Sequence, residues 1–397
     1  MTIAKLTPPN PDRAYSRTRL FRQLDSLRDY PVVWISGPPG AGKTTLVASY
    51  LAANDITPLW YQIDPSDGDI ASFFYHLGEG LKQLNGSRKR ILPLLTPEYQ
   101  LGLPAFSRRF FRKLFANLKA SSVIVLDNIE TLNDEPIFNA ILRHSLEETP
   151  SNRQVLITGR CLPPAQFRRM ILNGRLGQLG WNHLQLTTEE SLGIIESRFG
   201  RSTLSDAAIQ QIQDITQGWV AGLILLLSRQ HPGDPLTNET AVKSAENFSR
   251  QHFDDYFASE VFDQLPAKIR TLLLRTAWLP SVNAEMAAAL CGSVQTIDML
   301  QTLADNQLFV TRRDGADPAY IYHPLLKAFL QAEAARTLSP QALTRLIDNT
   351  AEILARSDRT DEAARLYARI GHWPGLVQLI LDHAQTLWGQ GRFRLLR

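Results

Sequence analysis

A chain of 397 residues is too long for one ordinary hydrophobic core, and at ~100–200 residues per domain it predicts about two to four domains. Its 44% hydrophobic and 20% charged content is ordinary globular usage, which excludes disorder and fibrous classes. The formal charge of +3, from 42 basic and 39 acidic residues, is too small to build a field that attracts nucleic acid.

From Met1 to Pro11 there is no apolar core of a signal peptide. The longest apolar run, Trp219 to Leu227, is about half of what a bilayer span needs, so no membrane helix is expected. Cys161 and Cys291 match no zinc or redox spacing, and two isolated thiols fit a reducing cytoplasm.

Val32 to Ile35 is a short apolar run of strand-forming residues. It leads into Gly37-Pro38-Pro39-Gly40-Ala41-Gly42-Lys43-Thr44-Thr45, followed by the helical pattern Leu46 to Ala53. The order strand, glycine loop, helix is that of a phosphate-binding loop. Gly37, Pro39, Gly40, Ala41 and Gly42 carry no bulky polar side chain, so consecutive backbone N–H groups can turn toward one anion, and the helix N-terminus adds its own unpaired donors. Lys43 is expected to reach the β- and γ-phosphates of ATP, Thr44 to complete the shell of a Mg2+ ion, and Thr45 to contact the α-phosphate.

The basic stretch Arg108 to Lys113 interleaves cations with aromatics, which could stack on bases. Helical spacing gives the plainer reading, with Phe110, Leu114 and Phe115 inward and a solvated basic face. Ser122 to Asp127 is a hydrophobic strand ending in an acid, which places Asp127 as the second Mg2+ residue; capping of the next helix is the alternative. Asn128 follows where many ATPases carry a second acid to orient water, and its neutral amide cannot take a proton. A third strand, Gln154 to Thr158, ends at Gly159 and Arg160. An arginine at the carboxyl edge of a parallel strand can sense the γ-phosphate, or it can pair with a neighbouring carboxylate.

These elements resemble the nucleotide-binding half of the STAND class of signalling ATPases, in particular the large MalT-type regulators of the LuxR family. Arg17 to Leu20 is similar to the arginine segment before the family's loop. Pro58 to Asp64 with Asp67 to Phe74 is similar to its second strand and helix. Leu186 to Glu190 and Thr216-Gln217-Gly218-Trp219-Val220-Ala221-Gly222 resemble markers of a helical subdomain. Phe253 to Phe257, Glu260 to Pro266 and Tyr320 to Leu330 resemble a winged helix.

The resemblance implies an α/β P-loop domain, with a parallel sheet covered by helices on both faces, over 1–186. Helical, winged-helix and further helical parts follow over 187–249, 250–337 and 338–397. It implies a switch closed around ADP, with His323 touching the β-phosphate and Arg17 beside the adenine or ribose, and opened by ATP with a small-molecule or protein inducer that acts on a sensor region. Self-association is expected of the ATP-bound form. Without the resemblance, His323 reads as a histidine satisfied by a backbone carbonyl.

Three departures bear on this. Asn128 replaces an acid, Glu130 replaces the family's histidine, and no DNA-binding module follows residue 397, so the chain reads as a fragment or a shortened relative that reaches DNA only through a further module. The first two imply at most a slow ATPase. A working ATPase of the AAA+ kind, acting on DNA-bound partners, and a scaffold with a purely structural nucleotide are the competing readings. The segment from His231 to Asn238 reads as a surface connection, Gln307 to Arg312 and Ala319 to Tyr322 read as the two arms of a hairpin separated by Arg313 to Pro318, and the helical stretches after Ser339 read as stacked pairs.

Overall fold

The computed structural model describes residues 4–11, 14–86, 92–95, 102–119, 121–132, 135–199, 204–227, 254, 256–292, 295–313, 318–357 and 359–389. The segment from His231 to Asn238 and the tip of the expected hairpin lie outside these residues. The chain divides into two compact units, Met1–Glu246 and Asn247–Arg397.

In the first unit, helix α1 (Thr18–Ser26) precedes strand β1 (Val32–Ser36) and helix α2 (Lys43–Ala53). Then come β2 (Thr57–Gln62), α3 (Ile70–Asn85), α4 (Leu103–Asn117), β3 (Ser122–Asp127), α5 (Pro136–Glu147), β4 (Val155–Gly159), α6 (Arg168–Leu172) and β5 (Leu176–Leu179). Helices α7 (Trp181–Leu184), α8 (Thr188–Phe199), α9 (Asp206–Thr216) and α10 (Val220–Leu226) complete it. The five strands are parallel, in the order β2-β3-β4-β1-β5, with Gln62 paired to Asp127 and Ser36 to Gly159.

Because side chains alternate along a strand, one sheet serves two cores. Val32, Trp34, Tyr61, Leu126 and Ile157 point to one face, beneath the aromatic cluster of α3, α4 and α5; Val33, Ile35, Trp60, Val125 and Leu156 point to the other, against α1 and α2. The basic helix α4 buries Phe106, Phe110, Phe111, Leu114 and Phe115 in the first core, so none of its aromatics is free to stack on bases. β5 escapes sequence reading because Gly177 and Gln178 interrupt its apolar run. Gly177 is needed there, since a Cβ would lie 3.0 Å from both Leu27 and Tyr30.

In the second unit, α11 (Ala267–Thr276), α12 (Ala284–Cys291) and α13 (Thr296–Asp305) precede an antiparallel pair, β6 (Val310–Arg313) and β7 (Ala319–Tyr322). α14 (Pro324–Thr337), α15 (Pro340–Arg356), α16 (Thr360–Ile370) and α17 (Trp373–Gly389) follow. β6 begins later than the apolar run from Gln307 suggests, because Gln307 and Phe309 take left-handed backbone at φ 50° and 59°. Tyr322 is buried and its hydroxyl meets that of Thr276 at 2.6 Å, which fastens the hairpin to α11. Neither Cys161 nor Cys291 is in a disulfide.

Candidate nucleotide-binding site

β1 ends at Ser36 and the chain turns at once into the glycine loop. Gly40 and Gly42 hold φ of 71° and 80°, backbone that a side chain would strain. Gly37 is small for another reason: a Cβ there would stand 2.8 Å from Leu184 Cδ1. Gly42 is also the N-cap of α2 and offers no side-chain cap, so the first-turn N–H groups of that helix stay available to an anion.

Lys43 bends back along the loop, its Nζ donating to the carbonyls of Gly37 at 2.7 Å and Pro38 at 3.0 Å. Burial pulls this ammonium down to about 8, opposed first by the charge of Glu130, while Arg160 pushes the same way as burial. Asp127, 2% exposed, closes β3. Its Oδ1 accepts the Thr44 hydroxyl at 2.9 Å and also that of Thr158. Burial lifts its carboxyl above the ordinary range, against those two bonds. Thr44 and Asp127 are 83 positions apart in sequence, and the sheet order brings them into contact.

Asn128 turns the chain through left-handed backbone at φ 62°, and Ile129–Leu132 form a short 3-10 turn. That turn lies on the end of β4: a Cβ at Gly159 would stand 2.4 Å from Ile129 Cγ2 and 3.1 Å from Glu130 Oε2. Arg160 sits at the strand edge where the sequence places it, and the carboxylate pairing left open above is realised. Its Nε meets Glu130 Oε1 at 3.1 Å, and its backbone N–H donates to Glu130 Oε2 at 3.2 Å.

Arg17 is 7% exposed. Its Nη2 pairs with Glu190 Oε2 at 2.8 Å and donates to the carbonyls of Leu184 and Gln185. Part of this residue thus fastens α8 to the segment before α1. Its Nε and Nη1 are buried with no hydrogen-bond partner among the described residues, and Arg17 lines a cavity of about 270 Å³ with Tyr15, Thr45, Ser49, Arg198 and Val220. An orphaned guanidinium edge on a cavity that begins at the loop helix fits the nucleoside end of a nucleotide.

The residues that sequence reasoning left without a role are Trp219, Glu190 and Glu130. The indole Nε1 of Trp219, fully buried, donates to the Pro39 carbonyl at 2.8 Å, and the Ala221 N–H donates to the Gly40 carbonyl at 3.0 Å. The helical segment therefore grips the phosphate loop through its backbone. The flanking glycines carry the signal: Gly218 has φ 73° with Leu186 N 2.8 Å from where a Cβ would be, and a Cβ at Gly222 would meet the Trp219 ring at 2.6 Å.

Comparison with known proteins bears on this arrangement. The chain is 29% identical over 385 residues to the HTH-type transcriptional regulator MalT of Yersinia pestis (strain Pestoides F), which covers 96% of the chain and 42% of the relative. Over nearly its whole length the chain is therefore similar to MalT-type regulators. The regulator of the same description from Yersinia enterocolitica is 27% identical over 387 residues with the same coverage, so the MalT-like chain spans less than half the length of these relatives. The family profile described as the MalT winged helix domain matches 258–342, and the one described as Nephrocystin 3, N-terminal, matches 16–160. A Walker-type ATPase of Pyrococcus abyssi superposes at a TM-score of 0.53 with 13% identity, covering 83% of this chain and 99% of that one. That match concerns the fold alone.

His323 of the MalT-like chain belongs to the second unit, where it is the N-cap of α14. Its Nδ1 accepts the Leu325 N–H at 3.3 Å and its ring meets Phe309 edge-on at 5.7 Å. A backbone N–H rather than a carbonyl therefore occupies Nδ1, which leaves the proton of the neutral ring on Nε2.

Proposed function

We propose that the MalT-like chain is the nucleotide-gated part of a LuxR-type transcriptional regulator, closed around ADP and opened by ATP together with an inducer. The observation that carries this reading is the contact of Thr44 with Asp127 at 2.9 Å, next to a lysine folded over a glycine loop. Two oxygens so placed are what Mg2+ takes from a protein when phosphates and water supply its other ligands.

In this reading the loop N–H groups and Lys43 hold the α- and β-phosphates, Thr45 orients the α-phosphate, and the free edge of Arg17 faces the nucleoside. His323 donates from Nε2 to the β-phosphate in the closed form, and Arg160 answers to the γ-phosphate. Asn128 cannot take a proton, so turnover is slow and serves to reset the switch. The divisions at 186/187, 249/250 and 337/338 separate the nucleotide domain, its helical partner, the winged helix and the start of a sensor arm. Inducer recognition, self-association of the ATP form and DNA contact through a separate module belong to the wider protein. A cytoplasmic setting fits the free thiols, and among the described residues no helix is long and apolar enough to cross a membrane.

The test is the nucleotide that co-purifies with the chain, released by denaturation and identified by ion-exchange chromatography, with Lys43→Ala as control. Tightly held ADP, absent from the variant, is the expected result. Rapid steady ATP turnover by the wild-type chain, with no retained ADP, would overturn the switch in favour of a working ATPase.

A further inference from the structure

Glu130 stands where sequence reasoning saw only a departure from the family pattern. The left-handed turn at Asn128 delivers its carboxylate onto Gly159, at the end of β4. There it takes both the backbone N–H and the side-chain Nε of Arg160, at 3.2 Å and 3.1 Å. The two side chains are 18% and 24% exposed, so the pair is only partly screened by water. One carboxylate bonded twice to one residue fixes both the backbone and the direction of its side chain. The Gly37 N–H donates to the Gly159 carbonyl at 3.2 Å and Lys43 Nζ donates to the Gly37 carbonyl at 2.7 Å, so Arg160 follows directly on the strand end that borders the glycine loop.

An arginine in this place has two anionic choices: the carboxylate already bonded to it, or a phosphoryl group beyond the β-position. A diphosphate that ends on the loop and Lys43 leaves the Arg160–Glu130 pair undisturbed. A triphosphate must bring a new anion toward Arg160 and also meets the negative charge of Glu130. The carboxylate therefore costs the triphosphate more than the diphosphate, and a ligand biases a switch only through such a difference.

We propose that Glu130 is a specificity-determining residue that tilts the site toward nucleoside diphosphate by competing with the γ-phosphate for Arg160. This rests on the nucleotide-switch reading above and adds the device that sets its resting state. No acid–base step is required of Glu130; its role is as a charge that Arg160 must partly leave.

The experiment measures the affinities of the full chain for Mg-ADP and for a non-hydrolysable Mg-ATP analogue, by displacement of a fluorescent nucleotide. Wild type, Glu130→Gln, Arg160→Gln and the double variant are compared, with thermal unfolding as a check on folding. Glutamine keeps the size of the side chain and an oxygen to accept the Arg160 N–H. Glu130→Gln is expected to move the ratio of triphosphate to diphosphate affinity toward triphosphate by roughly tenfold, the scale of one partly screened charge contact. Arg160→Gln is expected to move it toward diphosphate, and the glutamine at 130 should have a much smaller effect in that background.

An unchanged ratio in Glu130→Gln, with both affinities rising or falling together, would show a purely structural clamp and overturn the proposal. So would a shift toward diphosphate, which would make Glu130 a helper of the triphosphate. Should Glu130→Gln fail to fold, Arg160→Gln alone decides: a ratio equal to wild type sinks the competition. Retention of nucleotide by Lys43→Ala would count against the switch itself, and is read separately from this ratio.

Discussion

Replacing Trp219 by Phe probes the link between the helical segment and the phosphate loop. Phenylalanine keeps a buried ring but removes the indole N–H, so the Pro39 carbonyl loses a donor 2.8 Å away in a fully buried setting. An acceptor stranded in this way costs about 1–3 kcal/mol. The missing ring atoms leave a void beside Gly222, whose lack of a Cβ admits the indole, worth about 1–2 kcal/mol more. The sum, about 2–5 kcal/mol, should appear as a lower urea midpoint for the first unit. The part that acts through the loop carbonyl should weaken ADP binding by at most roughly 5–150-fold, at tenfold per 1.4 kcal/mol. Urea unfolding followed by fluorescence, and displacement of a fluorescent nucleotide, measure the two effects. If the variant bound ADP as wild type does, the indole would be a core residue only, and the idea that the helical segment reads the loop through Pro39 would be wrong.

Two further substitutions test how the site is built. Glu190 accepts from Arg17 and Arg19 and closes a reciprocal cap with Thr187, so Glu190→Gln should destabilise the first unit by about 2–4 kcal/mol. Burial raises its carboxyl, but the bonds from Arg19 and Arg17 outweigh burial and hold it below 4.5. Its contribution is therefore complete above pH 4.5 and fades as the pH falls through the lowered value, so the deficit of the variant should shrink in acid. An equal deficit at pH 3.5 and pH 7, by denaturant unfolding at about those two values, would refute the linkage. Asp67 is fully buried and accepts from Lys5 at 2.9 Å, Tyr61 at 2.6 Å and the Asp64 N–H at 3.0 Å. Asp67→Ala strands the Tyr61 hydroxyl and the Asp64 N–H and leaves Lys5 with Asp64, and should cost about 3–5 kcal/mol while leaving the ratio of ATP to ADP affinity unchanged. A urea midpoint equal to wild type would mean that this network carries no stability.

The sequence by itself determined the parts whose physics is local. A phosphate loop is written in consecutive residues, since glycines at left-handed positions and a lysine at the start of a helix are needed within one turn. The apolar run ending at Asp127 likewise announces a buried strand with an acid at its edge, and β3 begins and ends as that run predicts. The helices after Ser339 follow from their periodicity, Thr360–Ile370 at the expected residues.

Only the tertiary structure decided which of these residues meet. Thr44 touches Asp127 because β1 and β3 flank β4 in the sheet, an order no strand pattern encodes. Arg17 has one edge spent on Glu190, which lies 173 positions later in the chain, and the other left for the cavity. Trp219 reads in sequence as one more apolar residue of a helical stretch, and only its 180-residue return to Pro39 makes it part of the loop. Glu130 reads as a substitution until the turn at Asn128 sets it on Gly159 beside Arg160. Side-chain partners across such distances are chosen by packing and charge in three dimensions, whereas periodicity and glycine placement act within a few residues.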